Sequence, residues 1–431
     1  MREFITKMVV LLNQKRRGLI YLFCLFLAYG VVKSIVYFAP LFMNHILNDV
    51  NKFGEFEYSL NLGQTFSTIF AMGLPNAFAY FVFKEKEANL NVIFHNIYFS
   101  VLVILIISGL FIPGAVDKLY YNAIVIGVAL SNQLFITTYY KLKGKNFLAI
   151  VVDCGIYILL LLFGCLIFFK KADYNLSTWT YIILTYTIFM VLRFHFHEIG
   201  NFMSIKNSDW WRVLKYGMLI VITLFLTSLL TTSTRIYIEY FTDFKAVGVY
   251  SLFIRIASAI IIFHRVVVIL LYRKIYGDSH AKLDNYFSVI VLLALMGGIF
   301  LYLLIPQLAP KLIPSFVNAY LNNASVYMWT ILQAVSWTTV AVLELIIYRE
   351  NILGRYIPIL LSILLLMVIT FMLYNHFLTL NLLQILKINV VAVLAIGFGQ
   401  ILIIKQRAYI YKKTLLAHLL LSFVTLAYLF F

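Results

Sequence analysis

Charged side chains are scarce in this 431-residue chain, and acidic side chains are the scarcest of them. Asp and Glu together number 17, against 34 Lys and Arg, and charged residues make up only 12% of the sequence. Hydrophobic residues make up 63%, which leaves too little polar surface to cover a water-soluble fold. The polar segments between apolar runs are also too short to form a separate catalytic domain. We therefore predict an integral membrane protein whose function is built inside its apolar segments.

Cysteine is nearly absent too, with three residues in the whole chain. Cys24, Cys154 and Cys165 all fall in apolar runs and show no metal-ligand spacing. The sequence also lacks a Ser/His/Asp grouping, a glycine-rich phosphate loop and a paired-carboxylate motif, so no metal or organic cofactor is predicted. An embedded enzyme such as an acyltransferase would need a deeply placed catalytic histidine, and the candidates His95 and His264 have no evident partner in the sequence. We therefore expect a protein that is not an enzyme.

Long apolar stretches are what the chain has in abundance, thirteen in all. Each is about long enough to cross a bilayer, and in lipid every peptide group has to bond within its own segment. Such segments form helices, because membrane strands are only about half as long. The predicted fold class is thus an all-α polytopic membrane protein. The predicted spans are 19–43, 58–83, 91–112, 119–140, 146–169, 177–199, 216–238, 247–272, 286–306, 321–347, 357–375, 388–404 and 414–431.

Lys and Arg are distributed unevenly among the short loops between these spans. If the N-terminus is cytoplasmic, most of them fall on the cytoplasmic side, for example in 141–145 and 405–413, as the positive-inside rule requires. The net charge of +17 then reflects topology and contact with anionic membrane lipids. A nucleic-acid partner is not predicted, because the sequence contains no recognisable nucleic-acid-binding module. We predict a multi-pass membrane protein with its N-terminus in the cytoplasm.

A few basic residues lie inside the predicted spans, where charge is costly and indicates a functional site by default. Lys33 lies roughly 20 Å into the first span at 1.5 Å per residue. In the eighth span, Arg255 and Arg265 share one helical stripe with Ser251 and Ser258. A structural ion pair or helix contact is the alternative interpretation for Lys33 and Arg255, whereas Arg265 could instead reach the cytoplasmic interface.

Acidic residues in the spans are fewer still. Arg235 and Glu239 form an i,i+4 pair near the outer end of the seventh span, where a structural salt bridge and a ligand-binding role are both open. Asp153 in the fifth span and Glu344 in the tenth lie toward the cytoplasmic ends of their spans, where hydration is the alternative. We treat Asp153, Glu344 and Glu239 as candidate residues for coupling transport to H⁺ or Na⁺.

Basic residues therefore outnumber acidic residues in the predicted interior, so a central cavity is predicted to be cationic. Guanidinium and ammonium groups in a low-dielectric cavity attract phosphate and other anions strongly. The chain is thus predicted to transport an anion that is recognised by Lys33, Arg235, Arg255 and Arg265.

A short repeat recurs six spans apart. Tyr58-Ser59-Leu60 opens the second span, and Tyr250-Ser251-Leu252 lies at the start of the eighth. This placement fits a parallel duplication of six helices. It predicts two six-helix lobes around a central cavity, with an N-terminal lobe at 1–200, a C-terminal lobe at 201–412 and an additional hydrophobic helix at 413–431.

Three segments resemble motifs of the multidrug/oligosaccharidyl-lipid/polysaccharide (MOP) exporter superfamily, and within it the Wzx-type flippases. They are Phe53-Gly54 with Tyr58-Ser59-Leu60, Gly73-Leu74-Pro75, and the run from Arg235 through Val247-Gly248-Val249-Tyr250-Ser251. The resemblance implies two lobes that rock around a cationic cavity in a bacterial cytoplasmic (inner) membrane. It also implies that a polyprenyl-pyrophosphate-linked oligosaccharide is flipped from the cytoplasmic to the outer leaflet. The flipped glycan would serve O-antigen, lipopolysaccharide or other surface polysaccharide assembly, with a polymerase or other assembly proteins as partners.

The resemblance is incomplete in two places. Relatives often carry an acidic residue before the basic residue of the second-half motif, whereas this chain has Thr234, so any ion-coupling acid lies elsewhere. The segment 414–431 adds a stretch beyond the usual twelve spans, and it forms either a crossing or an interfacial helix. A MATE-like ion-coupled exporter of small organic cations is the alternative function, although buried acids would serve it better than Lys33 and Arg255.

The charge distribution predicts that the loops containing Lys143 and Lys171 lie on opposite sides of the membrane. Single cysteines placed at these two positions, in a background without the native cysteines, should react with an impermeant maleimide from opposite faces. A cysteine at Lys412 is the matched control, because it should behave like the one at Lys143. Labelling of the Lys143 and Lys171 positions from one face would contradict the topology.

Overall fold

The computed structural model describes residues 30–32, 34–84, 87, 91–111, 117–170, 175–194, 207–312, 314–350, 352–407 and 409–430. Over these residues the chain is helical, with short turns, one short π-helix and no strand. The protein is therefore an all-α polytopic membrane protein, as predicted. Its helices are α1 (Gly30–Leu47), α2 (Val50–Phe70), α3 (Leu74–Phe78), α4 (Asn91–Phe111), α5 (Lys118–Leu142), α6 (Asn146–Asp153), α7 (Gly155–Lys170), α8 (Leu176–Phe194), α9 (Asn207–Thr231), α10 (Thr234–Phe241), α11 (Phe244–Gly277), α12 (His280–Leu312), α13 (Pro314–Arg349), α14 (Leu353–Phe377), α15 (Leu382–Arg407) and α16 (Lys412–Phe430).

The described part of the chain contains ten helices that are long and apolar enough to cross a membrane, or twelve if each of two bent helix pairs forms one span. The bends are 43° between α2 and the segment Leu74–Val82, and 56° between α6 and α7. Thirteen crossings were predicted. The difference lies in α4, whose described apolar portion, Val92–Ile104, is shorter than a full span.

The predicted seventh span, 216–238, is wrong as a single helix, because it breaks at Thr232 and Ser233 between α9 and α10. A run of hydroxyl side chains that bond to the backbone lies at the break. The Thr231 hydroxyl donates to the carbonyl of Thr227 at 2.7 Å, and the Thr232 hydroxyl donates to the carbonyl of Ser228 at 3.0 Å. Such bonds compete with the helical backbone ladder. The break turns α10 into a separate helix and reorients its side chains.

The backbones of α2 and α11 come into close contact at their first turns. A Cβ atom on Gly54 would lie 1.8 Å from the carbonyl oxygen of Phe244, and one on Gly248 would lie 2.3 Å from the carbonyl oxygen of Val50. Only glycine permits so close an approach. The two copies of the Tyr-Ser-Leu repeat lie on α2 and α11. The close contact therefore joins the two segments that the sequence repeat relates.

Buried packing is concentrated on a few helices. α2 packs on α5 and α11, and α13 packs on α11, α12 and α15. In contrast, α12 and α14 expose apolar side chains such as Met296, Phe300 and Leu366. Exposed apolar faces of this kind are what lipid-facing helices present. The polar side chains described below therefore lie on the interior helices.

The start of α16 is fastened to α12 by a buried carboxylate. Asp284 accepts hydrogen bonds from the backbone amides of Lys413 at 3.1 Å and Thr414 at 2.8 Å, and from the Thr414 hydroxyl at 2.8 Å. An aspartate at this position satisfies free amides of the first helical turn and complements the helix dipole. The predicted thirteenth apolar stretch forms α16, and this helix is long and apolar enough to be a span.

We predict that Gly248→Ala destabilises the protein by about 1–3 kcal/mol, because the added methyl group would overlap the Val50 carbonyl. The control is Gly354→Ala on α14, where a Cβ meets no atom within 4 Å and alanine favours the helix. Thermal unfolding of the purified variants in detergent measures the difference. Equal melting temperatures for the two variants would contradict the close contact.

Candidate functional site

A cavity of about 470 Å³ lies between α2, α9, α11 and α13, with α5, α6 and α7 along one side. Its size is within the range of small-molecule binding sites. The described wall is rich in uncharged polar side chains, including Asn61, Gln64, Gln133 and Gln333. It also contains four charged residues: Asp153, Arg235, Arg255 and Glu344.

Arg255 on α11 is held by a glutamate on α2. Its Nε and Nη2 atoms donate to the two carboxylate oxygens of Glu57, each at 2.9 Å, in the bidentate geometry that suits guanidinium and carboxylate. Its Nη1 atom donates to the carbonyl of Val36 on α1 at 3.2 Å. Glu57 is completely buried, whereas Arg255 keeps 8% of its surface exposed. The carboxylate therefore lies behind the arginine as seen from the cavity.

Arg235 on α10 binds the same carboxylate. Its Nη2 atom lies 3.0 Å from Oε2 of Glu57, and its Nε donates to the Ser251 hydroxyl at 2.7 Å. The guanidinium also lies 5.6 Å from the centre of the Tyr250 ring, within cation–π range. We call Glu57, Arg235 and Arg255 the Glu57 cluster. With two positive charges and one negative charge, the cluster has a net charge of +1.

A hydrogen-bonded network fixes Tyr250 beneath Arg235. The Tyr250 hydroxyl donates to Oε1 of Gln333 at 2.8 Å, and Nε2 of Gln333 donates to the Thr234 hydroxyl at 2.7 Å and to Oδ1 of Asn389 at 2.6 Å. These residues come from α10, α11, α13 and α15. The network thereby holds the helices that carry and support Arg235 in one arrangement.

A salt bridge between Arg235 and Glu239 was one of two roles left open for this pair, and it does not form, because Arg235 pairs with Glu57 instead. The break between α9 and α10 directs Arg235 toward α2 and α11. Glu239 lies on α10 beside the Tyr58 hydroxyl, and it is not part of the described cavity wall. Its candidate role in ion coupling therefore has no support from its position.

Sequence reasoning missed Glu57, because the predicted second span began at position 58. The helix in fact begins at Val50, where Asp49 caps it by accepting from the amide of Asn51 at 2.8 Å. A signal was present in the sequence. Glu57, Asn61 and Gln64 are spaced by four and three residues, which places them on one helical face.

The other predicted basic residues are described only in part. Lys33 lies outside the described residues. Arg265 continues the backbone of α11, and its side chain lies outside the described part of the structure. Of the four residues predicted to recognise an anion, the structure brings Arg235 and Arg255 together.

Glu344 on α13 lines the cavity away from the Glu57 cluster. Its Oε1 accepts from the Tyr348 hydroxyl at 2.9 Å and from the Thr227 hydroxyl at 3.3 Å. Among the described residues it forms no ion pair. Gln333, which contacts the residue before Arg235, lies roughly 16 Å from Glu344 along the helix at 1.5 Å per residue. Glu344 and the arginines therefore occupy different ends of the cavity.

The charge of the described wall is balanced rather than positive. Two arginines, Arg235 and Arg255, are matched by two carboxylates, Asp153 and Glu344. Asp153 lies at the end of α6, next to the bend into α7. Because the charges are separated along the cavity, positive potential is concentrated at the end formed by the Glu57 cluster.

The described residues contain no group of three or more His, Cys, Asp and Glu side chains that could hold a metal ion. The described cavity wall offers arginines, carboxylates and uncharged polar groups to a bound molecule. Comparison of the chain with protein families, with curated proteins and with solved structures finds no match. Membership in the exporter superfamily stays a prediction from the sequence motifs.

Proposed function

We propose that this protein flips a lipid-linked anionic glycan across a bacterial inner membrane for surface polysaccharide assembly. The observation that supports this most directly is the pair of arginines at one end of a polar cavity between membrane-spanning helices. Arg235 and Arg255 both line the cavity. Two guanidinium groups within contact of one carboxylate are suited to bind the oxygens of a pyrophosphate.

The polar wall of the cavity suits the rest of such a cargo. Side chains such as Asn61, Gln64 and Gln133 can exchange hydrogen bonds with sugar hydroxyls. A glycan carried through this cavity avoids the cost of losing its hydrogen bonds in hydrocarbon. The polyprenyl tail would stay in the lipid while the headgroup passes between the helices.

Alternating access would require two groups of helices that move relative to each other. The contact between α2 and α11 joins the first half of the chain to the second. We propose that α1 to α8 and α9 to α15 act as the two lobes, and that this contact closes one end of the cavity between them. The sequence repeat on α2 and α11 is in keeping with this division.

We further propose that Glu344 couples the motion to H⁺ or Na⁺. It is a carboxylate in the cavity wall that is bound by two hydroxyl groups and has no ion pair among the described residues. Such a group can take up a cation without breaking a salt bridge. Asp153 is the second acidic candidate, because it also lines the cavity.

The same acidic residue supports a second candidate function, a MATE-like exporter of small organic cations. Glu344 would attract such a cation. The arginines oppose it, because a cation at their end of the cavity would meet like charge in a weakly screened medium. The carboxylate of Glu57 is already bound by both arginines and is not free to receive a cationic cargo.

We predict that Arg255→Gln lowers transport by about ten- to hundredfold, as expected for the loss of a charged hydrogen bond to phosphate. The measurement is surface glycan in a deletion strain that expresses the variant, with membrane protein quantified in parallel. Arg355→Gln is the control, because Arg355 is exposed at the start of α14. It should retain full activity.

The deletion strain itself separates the two candidate functions. The flippase proposal expects lipid-linked oligosaccharide to accumulate in the inner leaflet and resistance to organic cations to stay unchanged. If the deletion strain had normal surface glycan and increased sensitivity to organic cations, the flippase proposal would be wrong and the function as a cation exporter would be favoured. Full activity of Arg255→Gln would contradict the role of the arginines.

We predict that Glu344→Gln abolishes the response of transport to an ion gradient, because the amide keeps a similar shape but cannot bind a proton or a sodium ion as a carboxylate does. Lipid-linked oligosaccharide extracted from the deletion strain is reconstituted with purified protein in vesicles. Flipping is then followed with and without an imposed H⁺ or Na⁺ gradient. Glu55→Gln, an exposed position on α2, is the control. A normal gradient response in Glu344→Gln would exclude this residue from coupling.

A further inference from the structure

The Glu57 carboxylate occupies the place that an anionic cargo group would take on the arginines. Both of its oxygens are bound, by Nε and Nη2 of Arg255 and by Nη2 of Arg235. These are the donors that would bind phosphate oxygens. Glu57 has no exposed surface, whereas each arginine keeps 8% exposed. An anion that enters the cavity therefore meets arginines that already hold an internal anion.

Glu57 also lies on α2 between the cavity wall and the close contact of α2 and α11. On α2 the described wall of the cavity begins at Asn61, and on α11 it begins at Tyr250. Gly54, which touches the backbone of Phe244, precedes Glu57 by roughly one helical turn. The Glu57 carboxylate is thus the part of the cluster that lies toward the helix contact, and the two arginines that bind it line the cavity.

The ion pairs of the cluster cross between the two halves of the chain. Glu57 is on α2, while Arg255 is on α11 and Arg235 on α10, and Arg255 also binds the Val36 carbonyl of α1. Moving α1 and α2 together away from α10 and α11 would break all of these bonds. Removing one partner from a buried charge pair is strongly unfavourable, because the other charge is left unpaired. These ion pairs therefore hold the helices together at this end of the cavity.

From this geometry we infer that Glu57 determines the specificity of opening: it holds α2 and α11 together through the two arginines and releases them only to an anionic cargo group. The inference rests on the proposed function and extends it to the step that opens the far end of the cavity. An anionic group replaces the carboxylate on the arginines, so their charge stays paired when the helices separate. Glu57 is then hydrated by the water that enters. A neutral or cationic solute provides no such replacement.

The test uses the full-length protein in vesicles with a single cysteine at Thr232, a residue of the cavity wall. The native cysteines are replaced, and an impermeant maleimide is added on the side where α2 and α11 begin. The parent protein should label slowly, and millimolar inorganic pyrophosphate should speed labelling several-fold. Glu57→Gln should label roughly tenfold faster than the parent without pyrophosphate and should not respond further. Glu55→Gln is the matched control and should behave like the parent.

Two results would overturn the inference. One is labelling of Glu57→Gln at the slow rate of Glu55→Gln, which would mean that the carboxylate does not hold the contact closed. The other is a parent protein that does not respond to pyrophosphate, which would mean that an anion does not release it. If Glu57→Gln is not recovered as folded protein, Glu57→Asp serves instead. Its shorter side chain keeps the charge but cannot span both arginines, so it should label at an intermediate rate. Failure of the proposed function would be seen separately, as normal surface glycan in the deletion strain.

Discussion

The pairing of one buried carboxylate with two arginines is the interaction on which the centre of this protein depends. A charge among membrane-spanning helices has to be matched by an opposite charge or by hydrogen bonds. Glu57 is matched by both Arg235 and Arg255. Because these residues come from three helices, the requirement for pairing sets how α2, α10 and α11 meet. The cavity lies on one side of this ion-paired group, and the close backbone contact at Gly54 and Gly248 lies on the other.

The broken helix between α9 and α10 serves the same arrangement. A break frees backbone carbonyls that lipid cannot satisfy, so protein side chains have to bind them. The Asn61 amide donates to the carbonyl of Thr232 at 2.8 Å, and the Asn389 amide donates to that of Leu230 at 3.0 Å. The side-chain amides of Asn61 and Asn389 thus satisfy backbone carbonyls at the point where the helix is interrupted. Arg235 follows the interruption on α10, where it binds Glu57 of α2 and Ser251 of α11.

Much of the fold could be predicted from the sequence, because apolar length and the absence of polar segments are local properties. The apolar stretches are helical in the described residues apart from short turns at 71–73, 154 and 232–233, and Arg255 was identified from its depth in a span. The partner of Arg255 could not be predicted, since it lies 198 positions away and close packing in space leaves no local pattern. The break at Thr232 was missed because hydropathy does not register where a helix is interrupted within an apolar stretch. Asp153 and Glu344 were identified in their spans, but their place in one cavity wall with the arginines depends on how the helices pack.

The capping of α16 by Asp284 has a mechanical consequence. The bonds that Asp284 accepts from Lys413 and Thr414 join positions 129 and 130 residues apart, so α12 and α16 are tied at one end. The helices α13, α14 and α15 lie within the loop of chain that these bonds close. The five helices α12 to α16 therefore have less freedom to move independently than they would without this link. If this half of the protein rocks, we expect α12 to α16 to move as one unit. A small displacement at one end of these helices would then be transmitted to the other end.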